Sequence, residues 1–127
     1  MKKIIYSALL SGFFFMSTNV ASAQHVFVND QDINELDIQY VELRVGSALN
    51  PTKVRVYVDY GQAFSLKRQL IMTADKKPVK FNSAVHALNF MDKNGWDYIE
   101  IVAVQAGETT TFKYVMQYIL ALHNIFQ

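Results

Sequence analysis

The chain contains no cysteine, and only two of its 127 residues are proline. The missing cysteines exclude a disulfide scaffold, a thiol nucleophile and any thiolate metal site. Stability must therefore come from an ordinary apolar core. Neither sign of charge dominates, since twelve Lys and Arg face eleven Asp and Glu. Such a balance lacks the basic excess of a nucleic-acid-binding protein. Glycine is scarce as well, with five in all, and no glycine-rich phosphate loop, HExxH or GxSxG occurs.

The N-terminus carries a recognisable pattern. Lys2 and Lys3 supply a positive start, and an apolar run of about a dozen residues follows. Ser17, Thr18 and Asn19 end that run short of the about 20 apolar residues a membrane span needs. Ala21, Ser22 and Ala23 then give the small-x-small pattern of a signal-peptidase site. The expectation is a signal peptide over 1–23, cleaved after Ala23, and a protein exported to a periplasm or secreted. With no cysteine it is not lipid-anchored, and no membrane span is expected after cleavage. Loss of Lys2 and Lys3 turns a formal charge of +1 into about −1.

Residues 24–38 are polar and acidic, and are expected to be a leader into a single α+β domain over 39–127. A calcium loop beginning at Asp30 would need Gly sixth and Glu twelfth. Glu35 and Val41 stand there instead, so the match fails. From residue 39 the period is two. Val41, Leu43 and Val45 alternate with Glu42 and Arg44, then Val54, Val56 and Val58 with Arg55 and Tyr57. Alternation of this kind marks strands with one buried and one wet face. The Asn50–Pro51 turn signal between them predicts an antiparallel hairpin. A shorter third strand is expected over 67–73.

The period then becomes helical. Asn82 or Ser83 can cap the N-terminus, with Ala84, Val85, Leu88 and Met91 forming the apolar stripe. Gly95 after Asn94 suits the left-handed position that ends a helix. Gly95 and Trp96 are expected to form a structural corner into the next strand. "WDYIEIVAVQ" is apolar on both faces, which predicts a central, doubly covered strand. Its alternation sets Tyr98, Val102 and Val104 on one face, and Ile99, Ile101 and Ala103 on the other. A last strand, "TTTFKYVMQY", precedes a tail, 119–127, that suits helix or strand. The expected fold is α+β: a mainly antiparallel sheet of about five strands with one helix on a face, ordered β-β-β-α-β-β.

The segment "FNSAVHALNFMDKNGWDYIEIVAV", with "FKYVMQY" after it and "YVELRVG" and "VDYGQAF" before it, resembles small exported bacterial domains of unknown function from gut-type Gram-negative bacteria. That resemblance covers most of 39–118 and implies the helix, Gly-Trp-acidic corner and two antiparallel strands. It implies no chemistry.

No catalytic, cofactor-binding or metal-binding set stands out. His25 falls near the expected mature terminus, His123 in the tail and His86 on the helix's polar face. None sits beside a nucleophile and an orienting group. Cleavage one residue earlier would expose an Ala-Gln-His terminus able to bind copper, but cleavage after Ala23 removes it. By alternation Asp97 and Glu100 lie on opposite faces of one strand and cannot converge on a substrate. The charge distribution is uneven, with Lys67, Arg68, Lys76, Lys77 and Lys80 clustered before the helix. These five form the candidate interaction surface, suited to an anionic envelope component or glycan. A homodimer through the sheet is the other partner expected. The function expected is an exported, non-catalytic binding or structural module; the rival is a small hydrolase-like periplasmic enzyme with a site hidden from sequence.

Overall fold

A computed structural model describes residues 24–47 and 51–119. The expected signal peptide, Asn50 and the tail from residue 120 lie outside the described residues.

The strands are β1 (Phe27–Val28), β2 (Gln31–Asp32), β3 (Tyr40–Ser47), β4 (Val54–Asp59), β5 (Ile71–Met72), β6 (Trp96–Ala106) and β7 (Thr109–Tyr118), with helix α1 (Ala84–Lys93) between β5 and β6. They form two sheets, one of three strands ordered β2-β1-β5 and one of four ordered β4-β3-β7-β6. All pairings are antiparallel. The α+β class and antiparallel character match expectation. The single sheet of about five strands does not: the third strand shrinks to Ile71–Met72 and joins the small sheet instead.

Residues 24–38 correct a second expectation. They are no leader outside the core, because Val26, Val28 and Ile33 are fully buried with Leu43, Val56, Val58 and Trp96. Val26, just before β1, and Val28 within it flank Phe27, and Asn29 takes φ 54° in the turn to β2. Asp32 then caps a single 3-10 turn, Ile33–Glu35, by accepting from the Asn34 N–H. The small sheet and α1 contribute to the same core as the inner face of the four-stranded sheet. Burial of each large apolar side chain there contributes about 1.5–3 kcal/mol.

Helix α1 begins where its cap predicts, with Ser83 Oγ accepting from the His86 N–H at 3.2 Å. Its buried stripe runs through Ala87 and Met91, whereas Val85 points outward and is exposed. The helix ends at Asn94, and Gly95 follows at φ 90°, a conformation that clashes for a residue with a Cβ.

The two edges of the large sheet differ. Val54 exchanges backbone hydrogen bonds with Phe81 at 2.8 and 2.9 Å, and Val58 N–H donates to Gln69 O at 2.7 Å, so β4 is covered. Among the described residues β6 pairs only with β7, leaving its other edge free. This overturns the doubly covered central strand. Apolar composition on both faces reports side chains, while neighbours are chosen by topology.

Candidate functional site

The free edge belongs to an arm. β3 pairs with β7 from Tyr40–Gln117 to Arg44–Lys113, whereas β6 follows β7 out to Ala106–Thr109. Beyond Lys113 the β6–β7 hairpin is therefore a two-stranded ribbon, with no third strand among the described residues. Every β6 residue after Trp96 is exposed, although the strand is rich in Ile and Val. Ile101 is 48% exposed and Phe112, on β7, 51%.

A β-bulge sets which residues share a face. The register slips between Tyr98 and Glu100, so Tyr98 opposes Met116, while Glu100 opposes Val115 and Ile101 opposes Tyr114. Partners directly across an antiparallel pair lie on one face. Trp96, Tyr98, Ile101 and Ala103 therefore line the core-side face, and Asp97, Glu100, Val102 and Val104 the outer one. The expected grouping of Tyr98 with Val102 and Val104 fails at this extra residue. So does the separation of Asp97 from Glu100, both of which lie on the outer face.

A groove of about 540 Å³ lies against that outer face, where the loop after β4 folds back. Lys67 and Arg68 line it together with Glu42, Arg44, Asp59 and Lys113. Glu42 pairs with Lys113 at 2.7 Å, and the Arg44 guanidinium stands 4.8 Å from the centre of the Tyr57 ring. Tyr57 packs so close to Gly46 that an added Cβ would come within 2.7 Å of the ring. Phe64 and Leu66 on the loop are 92% and 93% exposed. The groove is mixed in charge. Of the five predicted basic residues, Lys67 and Arg68 enter it, Lys76 instead pairs with Asp30 at 3.3 Å, and Lys77 and Lys80 are exposed and absent from its lining. Only two of the five thus line the groove.

A third cluster lies where β1 and β2 meet the end of α1. Trp96 is fully buried, donates from Nε1 to Asn34 Oδ1 at 2.7 Å, and packs on the Tyr118 ring with centroids 4.9 Å apart. Asn34 Nδ2 donates to Gln24 O at 3.1 Å and to Asn94 O at 2.8 Å. The Gly95–Trp96 corner is thus locked to the N-terminal segment. Beside it His25 Nδ1 contacts Asp32 Oδ2, and the His25 ring stacks on Phe27 with centroids 5.9 Å apart. Asp32 is 7% exposed, and its other oxygen accepts the Asn34 N–H at 3.0 Å. Burial, and secondarily the charge of Asp32, raise the Tyr118 phenol above its ordinary 10.0.

His25, expected near a loose terminus, is therefore held in place. The signal that could have found it is the Val26–Val28 alternation followed by an Asn-Asp turn, which returns Asp32 to its side. His86 is exposed as expected, with Nδ1 accepting the Asn82 N–H at 3.0 Å. Among the described residues no helix is long and apolar enough to cross a membrane. No family model, curated protein or solved structure matches the chain.

Proposed function

We propose that the protein is an exported, non-catalytic interaction module that pairs through the free edge of β6, and that its partner is a second copy of itself. The observation supporting this is the arm: eleven residues of edge strand, all exposed after Trp96, with no strand paired along one side among the described residues. An edge of that length and composition is a template for another strand. Edges left open in monomers are normally short, bulged or charged. Here the bulge at Tyr98–Glu100 blunts only the base of the arm, and residues 100–106 stay regular against β7.

An antiparallel β6–β6 pairing centred on Ala103 uses just those residues. It sets Val102 opposite Val104 of the second copy, Ile101 opposite Gln105 and Glu100 opposite Ala106. No like charges meet, and the two four-stranded sheets join into one. A two-fold arrangement of this kind closes on itself and covers the regular part of the β6 edge, residues 100–106, in both copies. Export rests on the leader pattern of residues 1–23, and intact mass of the protein recovered from the periplasm or medium tests it.

Sedimentation of the untagged chain at micromolar concentration tests the pairing. A dimer is expected, and Val102→Lys with Val104→Lys should convert it to a monomer whose fold is retained. A wild-type chain that stays monomeric up to the highest soluble concentration overturns the second copy as partner.

A further inference from the structure

We propose that His25, Asp32 and Glu35 form a binding site for a divalent transition metal ion, zinc being the ion that fits best. One ligand atom from each residue lies within 4.8 Å of the other two. The three are brought together by a few residues of backbone. Pairing of Phe27 with Asp32 turns the segment before β1 back alongside the end of β2, so that His25 reaches Asp32. Asp32 and Glu35 are the cap and the last residue of a 3-10 turn. The turn brings Glu35 back beside its own cap, so that both carboxylates lie near the imidazole.

An independent observation concerns charge. Asp32 is 7% exposed, yet among the described residues no Lys or Arg pairs with it, and its one ion-pair partner is His25. Burying a carboxylate is costly unless it is paired and hydrogen-bonded, and here an imidazole and one backbone N–H are its partners, with no fixed Lys or Arg charge. A divalent ion supplies such a fixed charge directly. The carboxylate is also oriented for this, since Oδ1 is held by the Asn34 N–H while Oδ2 faces His25. Stacking on Phe27 fixes the imidazole plane.

The chemistry of the ligands selects the ion. Calcium takes six to eight oxygens and magnesium about six in strict octahedral array, which one nitrogen and two carboxylates do not provide. Zinc accepts imidazole nitrogen and carboxylate oxygen at about 2.0–2.2 Å in a tetrahedral set, with a solvent molecule completing it. Binding of the ion requires an imidazole nitrogen free of its proton, and the three side chains move onto the metal. His25 and Glu35 are exposed, so the fourth position is open to water. The site is independent of the β6 edge.

The test uses the untagged full chain, stripped with chelator and dialysed against Zn²⁺, with the visible absorption of bound Co²⁺ as a second readout. One ion per chain is expected, with a tetrahedral Co²⁺ spectrum, and excess Ca²⁺ should not displace it. His25→Ala and Glu35→Gln, both at exposed positions, should each weaken binding at least about tenfold. His86→Ala should leave it unchanged. Circular dichroism establishes that each variant is folded, and Glu35→Gln decides the matter if His25→Ala is not. Absence of stoichiometric binding overturns the proposal, as does wild-type affinity in Glu35→Gln or loss of binding in His86→Ala.

Discussion

Trp96 Nε1 donates to Asn34 Oδ1 at 2.7 Å, joining the start of β6 to a 3-10 turn 62 residues earlier in the chain. The same Asn34 amide donates to the backbone of Gln24 and of Asn94. One side chain thus ties the N-terminal segment, the end of α1 and the first residue of β6 together.

Trp96→Ala is expected to destabilise the domain by about 3–5 kcal/mol, the range for a buried aromatic. Trp96→Phe keeps much of the packing but leaves Asn34 Oδ1 without its donor, at a cost of about 1–3 kcal/mol. Urea unfolding of Trp96→Phe, Asn34→Ala and the double variant closes the cycle. A coupling below about 0.5 kcal/mol would mean that the hydrogen bond contributes nothing beyond packing.

Gly95 stands at φ 90° directly before the tryptophan, and its carbonyl accepts from Ile119 N–H at 2.8 Å. Gly95→Ala forces a Cβ into a backbone region that costs about 1–2 kcal/mol. The corner must either hold that strain or rotate and break the Ile119 bond. A melting temperature equal to wild type would show that the corner relaxes freely.

Tyr118 lies under the same cluster, with its phenol raised above 10.0 by burial first and by Asp32 second. A raised pKa means that the folded state holds its proton longer than the unfolded chain. The resulting stabilisation is complete below about pH 10 and is lost as pH rises through the folded-state value. Difference titration of phenolate absorbance between wild type and Tyr118→Phe should show a midpoint above 10.0 for this residue. A midpoint at or below that value would contradict the upward shift.

Local chemistry determined much of this protein. The Ser83 cap, the helix, the Gly95 stop and the β3–β4 hairpin each follow from residues within a few positions of one another, through periodicity and backbone sterics. Strand order could not follow from the same source. β6 carries apolar residues on both faces, which reads as a central strand, but it lies at an edge because β7 returns between it and β3. One unpaired residue near Ile99 then reverses which side chains share a face, and period-two counting has no term for an insertion the partner strand does not match. The N-terminal segment shows the same limit. Asp32 looks like one of several solvated acids until Val26, Val28 and Ile33 are buried against a sheet formed by much later residues. Burial depends on what long-range contacts bring alongside, and so the sequence alone set α1, β3, β4, β6 and β7 while the tertiary structure decided the small sheet, edge, face and the meeting of His25 with Asp32.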